Sequence, residues 1–255
     1  MKKAVLFTAL CLLTLGRAWA NPIQGTTNPN AFTQDYINWC QFGCMGAGET
    51  SPQPWVSNDG ATGTIGLHNG GMQGFYSFRE GTQLGTTWVG NFPSGTGVLY
   101  NGYSFGCALK GVGCQPAGIK IAFDSPVEGV GAYIQGTNHG PFSATITLFG
   151  QNGNSLGSFT ADGVSDKIEG TALFIGASSA VPIFAVQFDA NSAGNPLDPN
   201  CLAGCEDFAI GTLKFDSSIP EPSSLLLFAS SAIGVGGVIR RRFSRGALMN
   251  LRRPC

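Results

Sequence analysis

Alternation of apolar and hydroxyl side chains is the feature that most constrains the fold of this chain. From Phe142 to Leu148 the sequence runs Phe-Ser-Ala-Thr-Ile-Thr-Leu. Successive side chains of a β-strand point to opposite faces, so this period of two places all the apolar side chains on one face. The segment is therefore predicted to be a half-buried antiparallel strand.

Similar short apolar segments recur through the second half of the chain, separated by Asn, Gly and Asp turns, at 119–123, 130–134, 173–175, 183–188 and 208–215. The first half is rich in Gly, Asn, Thr and Ser, and segments 86–89 and 97–103 read as strands between glycine-bearing turns. Strands with hardly a helix among them predict an all-β antiparallel sandwich, with a jelly roll as the best fit. We place this body at 21–217, with the best-defined strands at 119–215.

The N-terminus has the three parts of a secretory signal peptide. Met1-Lys2-Lys3 is followed by a short apolar run and then by Ala18-Trp19-Ala20. This order of basic, apolar and small-residue regions predicts export through the Sec machinery and cleavage between Ala20 and Asn21. Residues 1–20 are thus excluded from the folded body.

The C-terminus carries a second targeting pattern. Pro220-Glu221-Pro222 should form an extended hinge, because each proline fixes φ and removes an N–H donor. An uncharged stretch at 223–239 follows, which as a helix would be roughly 26 Å long, just under the ~30 Å of a bilayer core. Arg240, Arg241 and Arg242 come next, and they should hold that end and the tail 246–255 in the cytoplasm.

This order of Pro-Glu-Pro, apolar helix and basic cluster over 218–245 resembles the PEP-CTERM sorting signal of Gram-negative bacteria that make exopolysaccharide. The resemblance implies transient anchoring in the inner membrane and removal of the signal by an exosortase, a membrane protease. The tail after the basic cluster is longer than the pattern leads one to expect. The alternative is a permanent C-terminal anchor.

Two segments of the body carry a further resemblance. Residues 119–133 and 207–213 are similar to sandwich modules often found ahead of this sorting signal. Those modules look like galactose-binding-like, carbohydrate-binding domains. The resemblance implies a cell-surface, outer-envelope or exopolysaccharide-matrix protein with a glycan as a candidate partner.

The charge of the body restricts its partners. Between the two signals there are fourteen acidic and five basic side chains, which gives a net charge of −9, although the whole chain has −1. A body poor in Lys and Arg is not expected to bind nucleic acid or anionic membranes. Cations or neutral glycans suit it better.

Six cysteines belong to the body and form three pairs that are close in sequence. They are Cys40 and Cys44, Cys107 and Cys114, and Cys201 and Cys205. An oxidising compartment favours disulfides, and we predict local pairing. The alternative is a zinc site at which the two C-x3-C elements meet.

Acidic residues near the last strand offer a candidate calcium site. Asp189, Asp198 and Asp207 occur here with asparagines between them, and hard oxygen ligands of this kind suit Ca²⁺. Asp207 is the first candidate ligand, because it begins a strand. The other interpretation is that these acids only solvate a loop and a strand end, since the spacing is not that of an EF-hand.

No catalytic constellation stands out. Ser155 lies in a G-x-S-x-G pattern, but a nucleophile elbow needs a helix after the serine and a downstream histidine, and His68 and His139 both precede it. A β-hairpin turn at 152–154 is expected instead. We therefore predict a non-enzymatic binding or structural role. Trp55, Trp88 or Tyr103 could stack on sugar rings, although a lone aromatic residue in a β-protein is more often part of the core. The alternative is a secreted polysaccharide-acting hydrolase with an unrecognised carboxylate pair.

Overall fold

The computed structural model describes residues 23–44, 48–49, 52–67, 75–80, 87–88, 90–101, 118–136, 139–192 and 208–217. All of them belong to one unit of the chain, Met1–Ser217. The described strands, numbered in chain order, are β1 Gln24–Thr26, β2 Asp35–Ile37, β3 Gly48–Glu49, β4 Gln53–Val56, β5 Thr62–Leu67, β6 Phe75–Glu80, β7 Thr87–Trp88, β8 Gly97–Tyr100, β9 Ile119–Gly136, β10 Gly140–Phe149, β11 Ser155–Ser165, β12 Leu173–Ser192 and β13 Phe208–Ser217. A short 3-10 helix spans Trp39–Phe42.

The strands form one continuous sheet, whose main path has the order β11-β10-β12-β9-β13-β8-β6-β3. The remaining strands branch from this path: β1 pairs with β12, β2 with β13, β5 with β9, β4 with β5, and β7 with β6. All described pairings are antiparallel except that of β6 with β7. The antiparallel, all-β fold class predicted from the sequence is confirmed.

Two long strands, β9 and β12, turn this sheet into a sandwich. The first part of β9 pairs with β5 and with the second part of β12. The second part of β9 pairs with β13 and with the first part of β12. The ladder shifts register between Ser178 and Ile183, and a bulge of this kind bends a strand. Each long strand therefore passes from one layer into the other.

The sequence patterns at 173–175 and 183–188 predict two strands, and the structure contains the single strand β12. The residues between these two patterns, 176–182, are mostly small side chains, a composition that is typical of a loop. Strand β9 pairs with β12 on both sides of this interval, up to Ser178 and again from Ile183, so β12 continues as one strand across an irregularity in the ladder. Pro126 likewise interrupts the apolar pattern of β9 without ending the strand.

Aromatic packing between the layers shows where the core lies. The ring centroid of Trp55 on β4 is 6.3 Å from that of Phe215 on β13, although those strands do not pair. Phe123 on β9 packs against both rings, at 5.5 and 5.4 Å. Gly63 makes this packing possible, because a Cβ at that position would lie 2.5 Å from the Trp55 ring and 2.0 Å from the Ala122 carbonyl oxygen.

The alternation in β10 has the predicted orientation. Phe142, Ala144, Ile146 and Leu148 are buried in the main core, and the residues between them are half-buried on the outer face. Burying a large aliphatic side chain contributes about 1.5–3 kcal/mol, so this face is a substantial part of the stabilisation. The predicted hairpin is also confirmed: Gly150 and Asn154 close the turn, and β10 pairs with β11 along its length.

Candidate functional site

Three aromatic side chains form a surface cluster on the outer face of the layer that contains β6 and β8. Tyr76 and Phe78 occupy alternate positions of β6, and Tyr100 lies opposite Tyr76 on β8. The centroid distances are 6.2 Å between Tyr76 and Phe78, 6.5 Å between Tyr76 and Tyr100, and 6.3 Å between Phe78 and Tyr100. Tyr76 is 36% exposed, and the other two rings are half-buried. We call these three residues the aromatic cluster.

The aromatic cluster borders a small second core that keeps it in place. Phe92, Val98, Ala172 and Ala209 are buried together, and Phe78 and Tyr100 pack against them. Val98 lies opposite Phe78 in the β6–β8 ladder. Since Phe92 and Ala172 come from loops, this core holds two loops, 90–96 and 166–172, onto the outer face of the sheet.

Asn91 joins these two loops. It is fully buried, and its Nδ2 lies 2.8 Å from each of Val164 O, Asp166 Oδ1 and Thr171 Oγ1. Its Oδ1 accepts hydrogen bonds from the backbone N–H groups of Asp166 and Lys167, at 3.2 and 2.9 Å. Lys167 has a φ of 61°, in the left-handed region that few side chains favour. Asn91 thus satisfies part-buried backbone groups at the end of β11 and in the tightly turned loop that follows it.

A second polar element at this junction is the side chain of Asp166. The Ile168 N–H donates to its Oδ1 at 2.9 Å, and the Thr171 hydroxyl donates to the same atom at 3.0 Å. The Ile168 N–H is the main cause that lowers the pKa of Asp166 below its ordinary value, and the Thr171 and Asn91 side chains act in the same direction. The Asp166 carboxylate therefore stabilises the conformation of its own loop.

Glu80, the last residue of β6, is hydrogen-bonded to the 90–96 loop. It is only 7% exposed, and its Oε1 accepts the Gly90 N–H at 2.9 Å. Within the described part of the chain, Oε2 is buried without a hydrogen-bond partner. Burial raises the pKa of Glu80, the Gly90 N–H lowers it, and the charge of Glu169 raises it further. Glu169 is hydrogen-bonded to the same loop, because its Oε1 accepts the Ser94 N–H at 2.7 Å.

The other layer of the sandwich presents a polar outer face. Hydroxyl groups pair across β10 and β11, with Thr145 and Thr160 2.9 Å apart and Thr147 and Ser158 2.9 Å apart. Asp189, one of the predicted calcium ligands, lies on this face opposite Thr145 and accepts the Gln187 amide at 2.9 Å.

Of the three predicted calcium ligands, only Asp189 belongs to the described residues. Asp198 and Asp207 lie outside the described residues. Among the residues that are described, no group of three or more His, Cys, Asp or Glu side chains could hold a metal ion. The calcium site at Asp189, Asp198 and Asp207 stays a prediction.

One predicted disulfide is present. Cys40 and Cys44 are joined across the end of the 3-10 helix, with Cα atoms 4.6 Å apart. Cys107, Cys114, Cys201 and Cys205 fall outside the described residues, so their pairing stays a prediction.

For Trp55 the structure agrees with a core position and not with sugar stacking. Trp55 is 1% exposed and belongs to the core. The Trp88 side chain and all of Tyr103 are outside the described part. The aromatic cluster was missed because Tyr100 is distant in sequence from Tyr76 and Phe78, and only the pairing of β6 with β8 brings it beside Tyr76.

The C-terminal targeting segment matches a known family model. A family model described as a PEP-CTERM protein-sorting motif matches residues 218–242. The chain carries a PEP-CTERM sorting motif. The motif implies that the protein is exported, sorted in association with the membrane and processed by an exosortase. The match includes Pro220, Glu221, Pro222, Arg240, Arg241 and Arg242, whose individual roles stay predictions.

The predicted membrane helix at 223–239 overlaps the PEP-CTERM match and lies outside the described residues, as do the predicted signal-peptide cleavage residues Ala20 and Asn21. In the described ranges, no helix has the length and hydropathy needed to cross a bilayer.

Two solved structures that resemble this PEP-CTERM-bearing chain are only distantly similar to it. A DUF4465 family protein from Bacteroides caccae aligns with 72% of this chain and 100% of its own, at 11% identity and a TM-score of 0.41. The enzymatically active domain of tailspike protein 4 from bacteriophage CBA120 aligns with 60% of this chain and 18% of its own, at 13% identity and a TM-score of 0.23. Neither score is high enough to bear on function. Comparison with curated proteins gave no match.

Proposed function

We propose that this exported protein serves at the cell surface or in the exopolysaccharide matrix as a non-catalytic glycan-binding protein, and that the aromatic cluster is its main contact with the glycan. The observation that carries the proposal is the arrangement of Tyr76, Phe78 and Tyr100 on a rigid two-stranded ladder, with one ring well exposed.

The chemistry of the cluster fits a sugar ring. The face of an aromatic ring is electron-rich, and the C–H groups on one face of a pyranose carry a small positive charge, so the two stack favourably. Tyrosine adds a hydroxyl group that can bond to sugar hydroxyls at the edge of the stack. Because the rings already pack on one another, little side-chain entropy is lost on binding.

Binding is favoured over hydrolysis by the state of the nearby carboxylates. Glu80 and Glu169 each accept a backbone N–H of the 90–96 loop, and Asp166 is bonded within its own loop. Glycoside hydrolysis requires two carboxyl groups presented to the scissile bond. These hydrogen bonds of the three carboxyl groups therefore serve to hold the two loops, and the second oxygen of Glu80, Oε2, is buried.

The test is a set of tyrosine variants of the exported protein, assayed for retention on the exopolysaccharide of the producing bacterium. Tyr76→Ala should weaken retention by about tenfold, because a stacking contact is worth on the order of 1–2 kcal/mol. Tyr76→Phe should retain most of the binding, since the ring is kept. Tyr36→Ala is the matched control, because Tyr36 is also well exposed, at 43%, but lies on β2. Equal retention by Tyr76→Ala and wild type would contradict the proposal.

A further inference from the structure

A cleft of about 500 Å³ opens at the other end of the sandwich, beside β1. Its walls come from β1, from the turn after it, and from β9, β12 and β13. The lining residues that matter for its chemistry are Gln24, Thr26, Phe32, Glu128, Ser178 and Asp216.

The cleft lies where the central ladders are irregular. On one side of β9, pairing with β12 runs from Gly129 opposite Ser178 to Val127 opposite Ile183. On the other side, pairing with β13 passes from Gly129 opposite Asp216 to Val127 opposite Ser217. Glu128 is the residue left out of both ladders. Bulges of this type redirect a side chain and often border binding sites.

The floor of the cleft is apolar and closely packed. Phe32 is buried, and its ring lies against two glycines of β9 and β12. A Cβ on Gly129 would lie 2.3 Å from this ring, and one on Gly176 would lie 2.5 Å from it. The absence of both side chains leaves room for the buried Phe32 ring between these two strands.

The walls are polar and include two carboxylates, those of Glu128 and Asp216. Asp216 is fixed by the backbone N–H groups of Thr33 and Gln34, which donate to its Oδ1 at 3.0 and 3.1 Å. Glu128 is exposed at the rim. Among the described residues that line the cleft there is no Lys or Arg. The nearby Lys214 instead donates to the Pro29 carbonyl at 3.0 Å.

We propose that this cleft binds one neutral or amino hexose unit of a glycan. A hexose has hydroxyl groups around its ring and C–H groups on its faces, which suits a cleft lined by both polar and apolar residues. Glu128 and Asp216 can accept hydrogen bonds from those hydroxyls, and charge-assisted bonds of this kind are stronger than neutral ones. Two carboxylates without a lining cation repel a uronate. The inference rests on the proposed glycan-binding function and adds a second, sugar-class-selective subsite to it.

The experiment titrates the exported protein with methyl glycosides of glucose, galactose, mannose and glucosamine, and with glucuronate, by saturation-transfer NMR. We expect at least one neutral or amino sugar to bind and glucuronate to bind at least about tenfold more weakly. Glu128→Gln should weaken the bound sugar by about tenfold, as expected for loss of one charge-assisted hydrogen bond. Asp124→Asn is the control, because Asp124 is an exposed carboxylate on the same strand, outside the cleft lining.

Three outcomes would overturn the cleft proposal: no hexose binds, glucuronate binds as tightly as the neutral sugars, or Glu128→Gln binds like wild type. If any of these occurs while polysaccharide retention still depends on Tyr76, the cleft proposal alone is wrong. If polysaccharide retention is also absent, the proposed function is wrong as well.

Discussion

Tyr76 and Tyr100 face each other across the antiparallel pair of β6 and β8, with ring centroids 6.5 Å apart. They are separated by more than twenty positions in the chain, yet the register of one short ladder makes them neighbours on an outer face. Phe78 completes the cluster, and the loops tied together by Asn91 support it from one side. The proposed glycan contact therefore depends on loop anchoring as well as on the rings.

Replacement of Asn91 tests that anchoring. Asn91→Ala should lower the free energy of unfolding by about 1–3 kcal/mol, because it leaves the Val164 C=O and the N–H groups of Asp166 and Lys167, all part-buried, without this partner. Chemical denaturation monitored by tryptophan fluorescence measures the change. Asn152→Ala, in the exposed β10–β11 turn, should have little effect. A similar loss for the two variants would argue against the role given to Asn91.

Glu80 should make stability depend on pH. Because burial raises its pKa in the folded protein, the folded state holds this proton more tightly than the unfolded chain does. Its contribution to stability is therefore present at pH values below the ordinary pKa of about 4.3, and is lost as pH rises through the raised folded-state pKa.

Glu80→Gln removes that titration while keeping an oxygen for the Gly90 N–H. The free energy of unfolding of the variant, relative to wild type, should increase between pH 4 and pH 7. Urea denaturation at a series of pH values measures this difference. A difference that is constant or falls with pH would contradict the assigned direction.

The cysteines of the body should resist alkylation unless a reductant is added. The Cys40–Cys44 bond accounts for one pair, and we expect the other four cysteines to pair locally as well. Mass spectrometry after iodoacetamide treatment of the unfolded, unreduced protein counts the free thiols. Labelling of Cys107, Cys114, Cys201 or Cys205 would show that local pairing is incomplete.

Processing of the chain can be followed by intact mass. The exported protein should begin at Asn21 and end near Pro222, because the signal peptide and the sorting helix are both removed. Neutral substitutions at Arg240, Arg241 and Arg242 should impair orientation in the membrane, which protease accessibility of the tail reports. Recovery of a mature form that still contains Arg240 would refute the processing scheme.

The sequence was sufficient for features that depend on local pattern. Period-two alternation correctly identified the buried face of β10, and the Asn-Gly-Asn turn correctly predicted the β10–β11 hairpin. It was not sufficient where tertiary pairing overrides local signals. The interval between the two apolar segments of β12 remains extended because β9 pairs with β12 both before and after it, and no local pattern contains that information.

The candidate site was harder to predict for the same reason. Trp55 was considered for sugar stacking on residue type alone, but pairing of β4 with Gly63 places it in the core. Tyr76, Phe78 and Tyr100 have no distinctive spacing, and their proximity follows from strand register. Glu128 becomes recognisable only once two ladders are seen to omit it.

The most direct test of the account is co-sedimentation of the exported protein with the exopolysaccharide of its producing bacterium, with and without a calcium chelator, combined with measurement of the polysaccharide chain length. We predict saturable binding and an unchanged chain-length distribution. Loss of binding with chelator would support the calcium site at Asp189, Asp198 and Asp207. Progressive shortening of the polysaccharide, or no binding at all, would contradict a non-catalytic glycan-binding role.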